Sequence, residues 1–355
     1  MAPSGTLRVA VIGVGTMGAR HVAVLQQLER TRLVAIADSD PVARGRSLAV
    51  APGAREFADW RALLDQMGSS IDAVCVAAPS VCHAEIVIAA LQVGLHVLVE
   101  KPIATTVSDA LRMRAAARDA GRKLMVGHVE RFNPAVARVR ELVREGRVGR
   151  IFRAHATRVG PFPRRIQDTG VALDLASHDI DVMQYVLGED LQQVFADGGT
   201  FVHERHEDLI TCLLRFETGT LGLLDVNWLS PEKRRELVIL GDAGMVRAEY
   251  LTQDVWFMES TEMPVTHPWE ELALLRGDAE GSAMRFALRK VEPLRAELES
   301  FVDCVLNDLP EPIDAHEGVR ALAVALAVRE SVRSGRLIRL LEMPAPRRAG
   351  VASIS

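Results

Sequence analysis

A glycine triplet set between a short apolar strand and a helix leaves few folds open, and this chain begins with one. Leu7–Ile12 (LRVAVI) is apolar and β-branched, as a strand buried on both faces must be. It runs into Gly13-Val14-Gly15-Thr16-Met17-Gly18, then a helical pattern from Ala19 to about Glu29, then a second strand, Leu33–Ala37, ending at Asp38. This is the order and spacing of a dinucleotide-binding βαβ unit. Gly13 makes the tight turn, Gly15 lets the backbone approach a pyrophosphate, and Gly18 lets helix and strand pack closely. The helix N-terminus then offers free N–H groups and a positive dipole end to the phosphates. A carboxylate at Asp38 accepts hydrogen bonds from a ribose 2′-hydroxyl and repels a 2′-phosphate, which favours NAD over NADP. Asp38 as a cap for the helix near Pro41 is an alternative use of the same residue.

The alternation continues through strands at Asp72–Ala77, His96–Val99 and Lys123–Val126 and helices at Val81–Val93 and Thr105–Ala120. Strands alternating with helices predict a doubly wound parallel sheet, an α/β Rossmann domain over residues 1–126. Ligands of such sheets lie beyond the strands' carboxyl ends. That places Ala78-Pro79-Ser80, Glu100-Lys101-Pro102 and Gly127-His128 at the mouth. Lys101, delivered by a strand end, reads either as a cleft residue or as a solvated loop lysine.

Past residue 127 the pattern changes. Six β-like segments between Val194 and Met258 follow one another without crossover helices, and closing helices are predicted at Glu292–Val305 and His316–Arg333. Residues 127–343 therefore read as an α+β domain with an open mixed or antiparallel sheet, and 344–355 as a mobile tail. The open sheet leaves a face to bury, which predicts a homodimer or homotetramer. Within this domain Asp174 and His178 stand four apart, on one face of a predicted helix. Asp181 and Tyr185 continue that stripe, and Ala176, Ile180, Met183 and Leu187 form an apolar one opposite. A carboxylate beside an imidazole can serve as an acid–base pair; a polar stripe facing water has the same spacing. Arg158 and Arg165 fall in what reads as a long irregular segment, where arginines can clamp a phosphate or carboxylate. His203-Glu204-Arg205-His206 is not HExxH and reads as solvated surface, so no metal site is expected.

Composition narrows the class. The 355 residues carry a net charge of −5, which gives no reason to expect nucleic acid. No run is apolar enough to span a membrane, and the N-terminus lacks a signal-peptide pattern. The four cysteines contain no CxxC pair, as expected for free thiols in a cytoplasmic protein.

GVGTMG, the Ala78-Pro79-Ser80 turn with His83, Glu100-Lys101-Pro102 and the Asp174…His178 helix stand in the order of the Gfo/Idh/MocA oxidoreductases, which the chain resembles over nearly its whole length. Gly127–Pro134 (GHVERFNP), Gly160–Ile166, Gly170–Tyr185, Asp225–Ser230 and Tyr250–Asp254 are similar to members that oxidise the 3-hydroxyl of UDP-N-acetylglucosamine. The resemblance implies an NAD-dependent dehydrogenase with Lys101, Asp174 and His178 as the catalytic group. It implies Gly13, Gly15, Thr16, Met17, Gly18, Asp38, Ala78, Pro79, Ser80, His83, Glu100, Lys101 and Pro102 at the cofactor. It puts Lys101, His128, Arg158, Arg165, Asp174 and His178 at a sugar-nucleotide substrate, and a pyridoxal-phosphate aminotransferase next in sequence to make a 3-amino sugar. Two departures stand out: Val171-Ala172 where many relatives carry glycines, and Ser80 where threonine is common. Another NDP-sugar, a nucleoside, an inositol-like cyclitol, or a non-catalytic NAD sensor are the alternatives.

Overall fold

The computed structural model describes residues 5–163, 169–260 and 282–340. Its first layer is a six-stranded sheet in the order β3-β2-β1-β4-β5-β6. The strands are β1 (Leu7–Ile12), β2 (Thr31–Ala37), β3 (Arg55–Phe57), β4 (Ala73–Val76), β5 (His96–Glu100) and β6 (Leu124–Gly127). Every pairing is parallel. Helices α1 (Thr16–Leu25), α2 (Pro41–Val50), α3 (Trp60–Met67), α4 (His83–Gln92) and α5 (Val107–Ala120) connect them. Strand order reverses between β1 and β4, which opens the crevice where doubly wound sheets bind ligands. The β1 and β4 side chains are buried on both faces apart from Arg8, which explains their unbroken apolar runs.

The chain leaves this sheet through α6 (Pro134–Arg144), whose first turn is capped by Asn133 with Pro134 at its start. A nine-stranded sheet follows, ordered β14-β13-β12-β11-β7-β10-β9-β8-β15. Its strands are β7 (Ile151–Val159), β8 (Leu191–Gly199), β9 (Leu209–Phe216), β10 (Leu221–Asn227), β11 (Arg234–Gly241), β12 (Gly244–Glu249), β13 (Asp254–Glu259), β14 (Ala283–Phe286) and β15 (Ile338–Arg339). Among the described residues only the β7–β10 pairing is parallel, so the sheet is mixed. Arg158 is a correction to the irregular segment expected there, because it belongs to β7 at the centre of this sheet. One face is covered by α7 (Ser177–Leu187) and α9 (Ala315–Ser334). Helix α8 (Pro293–Leu306) lies instead against α1, where Leu294, Leu298, Phe301 and Val302 join the core beneath the first sheet. Among the described residues no helix is long and apolar enough to cross a membrane.

Candidate active site

The glycine turn is tight on both sides. Gly13 has φ +83°, and a Cβ there would stand 2.4 Å from the Ala78 nitrogen. A Cβ on Gly18 would stand 1.8 Å from the Gly13 carbonyl oxygen, so this residue serves packing and does not line the crevice. Gly15 differs: a Cβ would meet nothing within 4 Å, and the α1 N-terminus it opens has no side-chain cap and no acid in its first turn. Free N–H groups beside open space are what a dinucleotide's diphosphate needs. The Asp38 carboxylate accepts from Val14 N at 2.7 Å and Asp40 N at 2.9 Å, fixing the turn, and keeps lone pairs toward the crevice. Capping of α2 falls to Asp40, whose Oδ1 accepts from Val42 N.

These groups line one cavity of about 900 Å³, together with Thr16, Met17, Ala78, Pro79, Ser80, Lys101 and Pro102 on the first sheet's side. Leu173, Asp174, His206 and Glu207 close it from the second domain. The volume and donor set fit a dinucleotide. His206 is thus a correction to the solvated surface expected for residues 203–206. His203 is partly buried as well, with its ring 6.2 Å from that of Trp228. Among the described residues no cluster of His, Cys, Asp and Glu could hold a metal.

His83 and Glu100 stand behind the crevice wall, a correction to their expected place beside the cofactor. His83 is buried, with Nε2 2.8 Å from the Ala78 carbonyl and Nδ1 3.0 Å from that of Pro102. Burial lowers its pKa while the two carbonyls oppose that, and the ring packs between two cavity turns; when neutral it donates to one of these carbonyls. Burial alone would raise the Glu100 carboxyl. Its bond to His21 Nε2 at 2.8 Å and the nearby Lys101 charge hold it below the usual range instead.

Lys101 and Asp174 meet across the domains. Lys101 Nζ donates to the Asp174 carboxylate at 3.1 Å and to its backbone oxygen at 2.8 Å. Asp174 sits in a π-helical turn, Ala172–Ala176, that leads into α7. Such turns place side chains out of the α register, and they are frequent at functional sites. His178 lies one turn on and is partly buried, with Nδ1 lacking a hydrogen-bond partner among the described residues. The cavity walls here are formed by Asp174 and Leu175, not by His178 itself. Burial first, then the charges of Lys101, Arg158 and Arg235, push the His178 pKa well below 6.5.

The rest of α7 is fastened from behind. Ala176, Ile180 and Met183 are fully buried, as their stripe predicts. Arg158 takes the Asp179 carboxylate through Nε at 2.6 Å and Nη2 at 3.1 Å, and Glu130 through Nη1 at 2.9 Å. Arg131 takes Asp181 at 2.8 and 2.6 Å and Glu317 at 2.6 Å. Asp181 therefore leaves the cleft side of its stripe, and Tyr185 is flanked by Arg131 and Arg140 at 4.7 and 3.7 Å from the ring centre. Arg158, only 1% exposed, is spent on these carboxylates, a correction to its reading as a diphosphate clamp. His128 is buried, 3.8 Å from Asp181, with both ring nitrogens unpartnered among the described residues. Arg165 lies outside the described residues.

A second cavity of about 340 Å³ shares Asp174 with the first and runs along Val159–Pro161, Asn227-Trp228, Lys233 and Arg235. Lys233 and Arg235 escape sequence reading because Glu232–Glu236 (EKRRE) looks like a solvated charged turn. Their signal was the two-residue spacing, which puts both on one side of an extended chain.

Two family profiles match. One is described as an oxidoreductase family with an NAD-binding Rossmann fold, over residues 7–128; the other is the GFO/IDH/MocA C-terminal domain, over 136–247. Myo-inositol 2-dehydrogenase of Thermotoga maritima is 26% identical, over 95% of this chain and 99% of that protein. UDP-N-acetylglucosamine 3-dehydrogenase of Acidithiobacillus ferrooxidans is 27% identical, over 92% and 98%. The Bordetella pertussis WlbA dehydrogenase, solved with NADH and UDP-GlcNAcA, superposes with a TM-score of 0.80 at 26% identity, over 97% of this chain and 100% of that one.

Proposed function

We propose that this chain, which belongs to the Gfo/Idh/MocA oxidoreductase family, oxidises the 3-hydroxyl of a UDP-N-acetylglucosamine-type sugar nucleotide. Its cofactor is NAD, which when bound accepts the hydride. The observation that carries the reading is the Lys101–Asp174 contact at 3.1 Å, made where the glycine-turn crevice meets the second cavity. An alcohol placed there would have its developing oxyanion stabilised by the Lys101 ammonium. Asp174 holds Lys101 and orients the hydroxyl. His178, one turn along the same helix and kept neutral, takes the hydroxyl proton. The second cavity favours a sugar nucleotide, since it continues past the reacting position with more room than a single ring requires. A keto sugar nucleotide released here would suit a pyridoxal-phosphate aminotransferase.

A cyclitol is the second reading, favoured by the likeness to myo-inositol 2-dehydrogenase. One panel separates the two. Enzyme, NAD and either UDP-N-acetylglucosamine or myo-inositol are mixed, with a ketone trap, and the absorbance of reduced nicotinamide is followed. Turnover is expected with the nucleotide sugar. Turnover with inositol alone removes the sugar-nucleotide reading, and none with any alcohol would favour an NAD sensor.

The second sheet's outer face supports a homo-oligomer. Phe195, Leu213 and Leu223 stand side by side in register across β8, β9 and β10, and Phe195 and Leu213 are 41% and 47% exposed. Leu213→Arg is expected to shift the sedimentation coefficient from that of a dimer or tetramer toward that of a monomer. A wild-type protein that already sediments as a monomer removes this expectation.

A further inference from the structure

The second cavity carries more positive charge than its carboxylates answer. Arg235 faces Arg158 directly in the β7–β11 register, and like charges so placed repel. Arg158 takes the Glu130 and Asp179 carboxylates at short range, and among the described residues Arg235 is left one ion pair, to Glu130 at 3.5 Å. Lys233 stands two residues before Arg235 with its stem against Gly160, and makes no ion pair among the described residues. The neighbouring Arg235 charge, and then burial, lower the Lys233 pKa. Asp174 at the inner end is already committed to Lys101. Such an excess of cations, in a chain whose net charge is −5, is walled by Trp228, Val159, Pro161 and Pro163. Cations of one sign gathered along one cavity raise the local concentration of anions.

We propose that Lys233, with Arg235, is a specificity site for an anionic group of the substrate, a phosphate or a carboxylate, held in the second cavity. The proposal rests on the reading of the crevice as a hydride-transfer site, and it does not depend on which sugar is carried. A neutral cyclitol has nothing to place on these cations. The charge falls instead to a substrate with a diphosphate arm or an acid group. Lys233 takes the anion as a mobile point charge, and Arg235 offers the N–H donors that Glu130 leaves unused.

The test uses the full chain saturated with NADH, so that the cofactor crevice cannot take up the probes. Calorimetry is run with UDP, with glucuronate and with myo-inositol at low and high salt, on wild type, Lys233→Ala and Lys233→Arg. Lys233 is exposed, so the melting temperature of the variants is expected to match wild type. At least one of the two anions is expected to bind, to weaken about tenfold to a hundredfold in Lys233→Ala, and to recover most of that in Lys233→Arg. Its affinity should fall with salt. UDP as the responsive probe identifies the phosphate source, and glucuronate the carboxylate. Glucuronate binding without UDP binding keeps the anion site and removes the sugar-nucleotide reading. UDP-N-acetylglucosamine turned over by Lys233→Ala with an unchanged KM does the reverse. Equal anion affinity in wild type and Lys233→Ala, or no binding of either anion, overturns the proposal.

Discussion

Replacing His178 by alanine is expected to leave NAD affinity within a factor of about two and to lower turnover by about 10²–10⁴-fold, the usual contribution of a positioned general base. The asymmetry follows from placement. His178 lies on the second domain's helix, while the α1 N-terminus, Asp38 and the turn at Ala78–Ser80 form the dinucleotide crevice. A titration of NADH fluorescence and a single-turnover rate separate the two quantities. The pH profile gives a second handle. Only the neutral imidazole can accept a proton, and its pKa in the folded chain is well below 6.5. The base therefore stays competent as pH falls through neutrality, and the acid limb of kcat/KM for alcohol oxidation should lie below pH 6.5. An acid limb above neutrality would rule out a low-pKa His178 as the base, and wild-type turnover in His178→Ala would move the proton acceptor to Asp174, which lines both cavities.

What could be read from residues alone divides along a physical line. GVGTMG was legible because local sterics dictate it: a Cβ at Gly13 or Gly18 collides with backbone, so no other residue serves. The Asp174–His178 face was legible for the same local reason, since helical spacing sets it, although the π turn at Ala172–Ala176 has no such signature. Strand β7 was not. Its inward residues are Ala154, Ala156 and Arg158, two small and one charged, so the alternation of a half-buried strand carries no large apolar signal. Arg158 looked like a free clamp because its partners are remote, Asp179 lying 21 residues away and Glu130 lying 28. Whether a guanidinium is spent on buried carboxylates or left for a ligand depends on tertiary neighbours. The same limit hid Lys233 and Arg235 within a charged run. The apolar face of α8 announced burial without saying that the first sheet, not the second, would cover it.

Replacing Arg158 by methionine should therefore act on stability before it acts on substrate binding. The guanidinium, Asp179 and Glu130 are all nearly inaccessible, at 1%, 1% and 6% exposure. Glu130 keeps its contact with Arg235, but Asp179 is left buried without its hydrogen-bonded counterion, and breaking a buried pair in this way costs about 3–5 kcal/mol. The expected result is a lower denaturant midpoint with an unchanged slope. The double variant Arg158→Met with Asp179→Leu should regain much of the loss, because it removes the stranded charge as well. The pH dependence has a definite sign. Burial already raises the Asp179 pKa, and Arg158 opposes that rise. Without Arg158 the folded-state pKa climbs further above its unfolded value, so the folded state binds the extra proton and the deficit should shrink as pH falls through that raised value. Activity follows through the helix. Asp179 anchors α7, which continues the turn bearing Asp174 and carries His178, so a loosened anchor lowers kcat at unchanged NAD affinity. A diphosphate clamp predicts the opposite pattern, a wild-type denaturation midpoint with a raised KM for the sugar nucleotide, and that outcome would return Arg158 to the binding site.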